Sequence, residues 1–156
     1  MKKYLLPILL MSLMISCVTR EICDDNNQSE LVARFKLEMD GVYTDTVFNG
    51  VSVYGTRSGQ EFNLLYDSVP TSRIVLPLDP NQTSTSFLID FNGLRDTLTI
   101  QHTTEYYLIS YTCGFAALFT MEDVVHTRQV IRDFKIINEV IDAELELNEE
   151  HLWILF

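Results

Sequence analysis

An all-β fold, a single immunoglobulin-like or transthyretin-like β-sandwich, is predicted by two features of the sequence. Apolar residues recur at every second position, and turn residues punctuate the chain at short, regular intervals. In Leu31 to Met39, Leu31, Ala33, Phe35, Leu37 and Met39 face one way while Arg34, Lys36 and Glu38 face the other, as in a half-buried strand. Further strands are expected at Thr46–Tyr54, Glu61–Asp67, Arg73–Leu78, Ser84–Phe91, Leu94–His102 and Tyr106–Cys113. Between them lie Asp40-Gly41, Ser58-Gly59, Asp79-Pro80-Asn81 and Asn92-Gly93. The Asn-Gly pair is the sharpest of these signals, because a type I′ hairpin turn needs positive φ at both central residues.

Residues 122–147 mix good helix formers with the β-branched cluster Val130, Ile131, Ile136, Ile137, Val140 and Ile141, and a strand is read over Val130–Asn138. The closing His151-Leu-Trp-Ile-Leu-Phe156 is apolar on both faces and reads as a buried strand. A terminal Phe also suits an outer-membrane barrel. In that fold, however, Trp153 and Leu155 would point into a polar lumen, and several of the strands are shorter than the 9 to 11 residues or so that a span requires.

The N-terminus has its own organisation. Lys2 and Lys3 precede an apolar run from Tyr4 to Ile15, and Ser16 stands before Cys17, the pattern of a signal peptide with a cysteine at its cleavage edge. The run is shorter than the 20 or so residues of a membrane span. Met14-Ile15-Ser16-Cys17 resembles the bacterial lipobox, in which the cysteine receives diacylglycerol before cleavage. Acyl chains contribute about 0.8 kcal/mol per buried methylene, so two or three hold a protein at a membrane without a transmembrane segment. The expected organisation is signal peptide 1–16, lipidated N-terminus and short polar tether 17–30, and one β-sandwich domain 31–156.

Cleavage removes both lysines and leaves nine Lys and Arg against 22 Asp and Glu, a formal charge of −13. Such a surface repels nucleic acid and anionic headgroups. With Cys17 acylated, Cys23 and Cys113 remain, and in an exported protein a pair reads first as a disulfide. Closing so long a loop stabilises a fold by about 4 to 5 kcal/mol in the chain-entropy account. Two separate thiols, or a reactive Cys113, are the alternatives.

The sequence contains no nucleophile elbow, Gly-rich phosphate loop, paired-cysteine zinc site or His-Glu-x-x-His, and the expectation is a non-enzyme without cofactor or metal. A rival is a small hydrolase or metal-dependent enzyme using loop carboxylates and His102, His126 and His151, which lack ligand spacing in the sequence. Tyr106, Tyr107 and Tyr111 form a candidate binding face, since rings on a strand stack against sugar or peptide while their hydroxyls stay wet. Asp45-Thr46-Val47, Asp67-Ser68-Val69 and Asp96-Thr97-Leu98 resemble the O-glycosylation sequon of Bacteroidetes envelope proteins, making Thr46, Ser68 and Thr97 candidate acceptors.

Further motifs are Cys23 soon after the lipobox, Val51-x-Val-Tyr-Gly55, Val75-Leu-Pro-Leu78, Tyr111-x-Cys-Gly-Phe115 and the closing His151-Leu-x-Ile-x-Phe156. In this order the chain resembles the small uncharacterised lipoproteins of Bacteroidetes, a domain of unknown function. Where such proteins usually carry a polar pair such as Ser-Arg before Cys-Gly-Phe, this one has Tyr111-Thr112. The resemblance implies an outer-membrane lipoprotein of the cell envelope built on a β-sandwich. The function expected is that of a membrane-anchored binding or assembly module. Its partners would be the membrane, through the lipid, and an envelope protein or glycan.

Overall fold

The computed structural model describes residues 29–57, 59–143 and 149–156. The expected signal peptide, Cys17, Cys23 and the expected tether up to residue 28 lie outside these residues. The chain folds as a β-sandwich of two packed sheets. Its strands are β1 (Glu30–Met39), β2 (Val42–Asp45), β3 (Phe48–Arg57), β4 (Gln60–Thr71), β5 (Arg73–Pro77), β6 (Ser84–Phe91), β7 (Leu94–Ser110), β8 (Gly114–His126), β9 (Asp133–Ile136), β10 (Val140–Ile141) and β11 (Leu152–Leu155).

The larger sheet runs β10-β8-β7-β6-β3-β4 and is antiparallel throughout. The smaller runs β2-β1-β11-β9, with β5 also paired to β1. β1 is the spine of the smaller sheet. Its first half pairs with β5, its second half with β2, and β11 lies parallel to it from Ala33↔Leu152 to Lys36↔Leu155.

Leu31, Ala33 and Phe35 of β1 are fully buried, as the alternation predicts. Val32 and Lys36 on the other face are buried as well, and Met39 at the strand's end is exposed, so β1 is not the half-buried strand expected. Phe35 sits edge-on to Phe48, Phe91 and Phe156 at 5.7, 5.8 and 5.7 Å between ring centroids. This aromatic knot ties β1, β3, β6 and the C-terminal residue together across the two sheets, in the geometry ring quadrupoles prefer. The Asn92-Gly93 turn has the expected backbone, φ 55° and 94°, and joins β6 to β7.

Three expected elements differ from what forms. The segments Leu94–His102 and Tyr106–Cys113 are one continuous strand, β7. Thr103, Thr104 and Glu105, which lie between the two expected strands, stay in the ladder, because threonine fits a pleated sheet well and a register shift at Gln101/His102 is absorbed while pairing continues. The reversal comes at Gly114, φ +79°, and β8 follows it where no strand was expected. Val130–Asn138 contributes only β9, because the loop before it is held by a buried carboxylate.

That carboxylate is Asp96, which has no exposed surface. It accepts hydrogen bonds from the Thr127 hydroxyl at 2.6 Å and from the backbone N–H groups of Gln129, Val130 and Ile131 at 2.8, 2.6 and 2.8 Å. Burial pushes its pKa up, but these donors outweigh burial and hold it below the usual carboxylate value. Asp96 thus fixes the crossing from β8 to β9.

Candidate binding face at the tip of the long hairpin

β7 and β8 pair from Leu98↔His126 to Ser110↔Gly114, and burial of their inner face falls off along the ribbon. Near the base, Leu98, Ile100, His102, Phe119, Met121 and Val124 are buried. Towards the tip the same ribbon is open to solvent. Tyr106 is 60% exposed, Leu108 44%, Ile109 39%, Phe115 66% and Tyr111 99%. Residues paired in register share a face, so Tyr106 lies with Ala117 and Leu108 with Phe115 on the side that deeper down faces the core. Tyr107 pairs with Ala116 on the other side and is half-buried. The three tyrosines therefore do not form one platform. Tyr106 joins Leu108 and Phe115 instead, and Tyr111 caps the apex.

The apex is built by short polar side chains. The Ser110 hydroxyl accepts the Cys113 N–H at 3.1 Å and lies 3.0 Å from the Thr112 hydroxyl. Gly114 then takes a left-handed backbone that side chains disfavour. These contacts close the reversal and leave Tyr111 pointing away from the body. Cys113 is half-buried in this turn and is not free of partners. Its expected partner, Cys23, lies outside the described residues.

Beneath the tip, where the smaller sheet ends, an open cleft of about 390 Å³ is lined by Ser29, Leu78, Pro80, Tyr106, Phe115 and Phe119 among others. The Ser29 hydroxyl donates to the Ala117 carbonyl, so the described chain begins against the hairpin. The site's chemistry is apolar and aromatic, with Asp79 as the charged residue of its rim.

The histidines serve separate places in the fold. His102 is buried edge-on to Phe119 at 5.0 Å, and its Nε2 lies 3.0 Å from the Thr85 hydroxyl. His151 is buried, and its Nδ1 accepts the Val32 N–H at 3.0 Å, tying β1 to the C-terminal strand. Burial lowers the pKa of both, against the raising effect of Asp79 and Glu122 on His102 and of Glu149 and Asp142 on His151. His126 is half-buried edge-on to Phe134 at 5.5 Å. Among the described residues, no group of three or more His, Cys, Asp or Glu is placed to hold a metal.

The candidate glycan acceptors differ in access. Ser68 is exposed at a positive φ of 48° within the irregular β3–β4 pairing. Thr46 is half-buried, with its N–H donating to Phe35 O at 3.0 Å. Thr97 lies in mid-strand, with the neighbouring Asp96 and Leu98 fully buried.

Sequence reasoning passed over Leu108, Ile109 and Phe115. The signal was present, since Tyr106 to Met121 is a run of sixteen residues without a charge in a strongly acidic chain. Comparison with curated proteins and with solved structures gave no significant match. Residues 50–156, from within β3 to the C-terminal Phe156 and so including the whole β7–β8 hairpin, match the family of unknown function DUF6452, and the chain belongs to that family.

Proposed function

We propose that this protein is a non-catalytic binding module, tethered to the outer membrane by lipid on Cys17, that presents the tip of the β7–β8 hairpin to its partner. The uncharged run Tyr106–Met121 carries the reading. Its exposed Tyr106, Leu108, Ile109, Tyr111 and Phe115 gather apolar surface at one end of a domain with a mature charge of −13. Exposed apolar groups concentrated in one patch mark interaction surfaces, whereas singly scattered ones are ordinary. The lipid reading is supported by the lipobox-like Met14-Ile15-Ser16-Cys17. A Cys23–Cys113 disulfide would fasten the lipidated segment to the hairpin turn.

Fractionation of cells carrying Cys17→Ala tests the tether. The expected result is loss of radioactive palmitate label and release of the domain from the membrane fraction. Unchanged label would refute it.

A further inference from the structure

We infer that the tip of the β7–β8 hairpin rests in the headgroup interface of the bilayer that holds the lipid anchor, with Tyr111 at the apex and Leu108, Ile109 and Phe115 as its apolar contacts. This rests on the anchored reading above and names the partner of the same surface.

The residue types fit that interface. Tyrosine places an apolar ring and a wet hydroxyl at the level where hydrocarbon meets water, and aliphatic and phenyl side chains beside it supply the buried area. The absence of Lys and Arg from Tyr106 to Met121 means that attraction to anionic lipid is not what holds the tip. Asp24 and Asp25 directly follow Cys23, which favours zwitterionic over anionic headgroups.

Charge spacing favours the same arrangement. Between Glu105 and Tyr111 lie five uncharged residues of extended strand, so the apex stands about 20 Å beyond that carboxylate. Screening in physiological salt decays over about 8 Å. The apex is therefore screened from Glu105, while Asp79 borders the cleft that Tyr106 and Phe115 line.

The anchor is also within reach of the tip. Ser29 is bonded to Ala117 of the hairpin, and twelve peptide units separate it from Cys17, a reach of at most about 40 Å. If Cys23 is bridged to Cys113, six units remain, and the acyl chains lie within about 20 Å of the turn. The stretch leading into Ser29, Asp24-Asp25-Asn26-Asn27-Gln28, has no apolar side chain with which to cover the patch.

Tyr111→Trp places an indole at the apex, and Leu94→Trp places one at the opposite end of β7. The acylated mature chain of each, reconstituted in phosphatidylcholine vesicles, is compared with and without brominated acyl chains, with Trp153 as the shared reference. The expected result is that bromine quenches the added emission of Tyr111→Trp about twofold or more and leaves that of Leu94→Trp unchanged. No quenching at the apex, or equal quenching at both positions, would overturn the inference. So would shielding of the apex indole in lipid-free solution by a stable dimer, which would make a second copy the occupant.

A second arm separates the inference from the anchor. The mature-length chain carrying Cys17→Ala should still sediment weakly with phosphatidylcholine vesicles. Leu108→Asp combined with Phe115→Asp should cut that binding about tenfold while the circular dichroism spectrum is unchanged. Equal binding of the two chains would overturn the inference whatever the state of Cys17. Absence of palmitate label on the wild type, with tip-dependent binding intact, would refute the anchor and uphold the tip.

Discussion

Asp96 and the buried histidines make opposite demands on the proton. Asp96 stays ionised because four donors converge on its two oxygens, and hydrogen bonds to a charged group contribute about 1.5 to 3 kcal/mol. Its folded pKa lies below the 3.8 of the free group, so the stability it contributes is fully present above that pH and is lost as pH falls through the folded value. His102 and His151 are held neutral by burial, with folded pKa values below 6.5. Below pH 6.5 the unfolded chain binds their protons and the folded chain does not, so stability declines on acidification there too. The unfolding free energy should therefore fall in two limbs, one starting near pH 6.5 and one near 3.8. Asp96→Asn should cost about 2 to 4 kcal/mol at neutral pH, because an amide NH₂ would face N–H donors. It should shrink the lower limb and leave the smaller share of exposed Asp45, whose carboxylate is held low by its bond to Lys36. Urea titrations across pH measure both, and a lower limb undiminished by Asp96→Asn would sink this account.

At the scale of elements, turns show how much local sequence settles. Asn92-Gly93 could be read directly, because the pair has few other conformational uses, and Ser84–Phe91 is found at its expected bounds. The reversal at Gly114 was harder to see. Tyr111-Thr112-Cys113 has no strong turn pair, and Ser110 closes the turn through side-chain bonds that residue type alone does not reveal. The exposed tip was legible as a charge-free run, but its exposure depends on where the smaller sheet stops, which is set by pairings distant in sequence. Two glycines separate backbone strain from packing. At Gly114, φ +79°, an added Cβ meets nothing within 4 Å, so Gly114→Ala should cost about 1 kcal/mol from backbone strain alone. At Gly50, φ +71°, the Cβ would collide with the Asn92 carboxamide, whose nitrogen donates to Asn49 O at 2.7 Å. Gly50→Ala should cost about 2 to 3 kcal/mol, and equal shifts of the two unfolding midpoints would count against the packing argument.

The whole molecule is closed by a pairing that period and turn chemistry do not disclose. β11 inserts between β1 and β9, parallel to one and antiparallel to the other. Phe156 extends the ladder, its N–H donating to Lys36 O at 3.1 Å and its ring joining the Phe35 knot. Residues 152–156 thus carry the middle of the smaller sheet and part of the core, with Leu152, Ile154, Leu155 and Phe156 all buried. Each such side chain contributes about 1.5 to 3 kcal/mol on burial, so together they approach the 5 to 15 kcal/mol or so that holds a domain folded. Their loss would also bare the edges of β1 and β9, leaving backbone groups unpaired. A chain ending at His151 is therefore expected to lack a cooperative urea transition and to be digested rapidly by protease. Phe156→Leu, which keeps the backbone ladder, should unfold cooperatively at a lower midpoint. A truncated chain that kept the full transition would show that the smaller sheet is dispensable, and with it the support from which the hairpin projects.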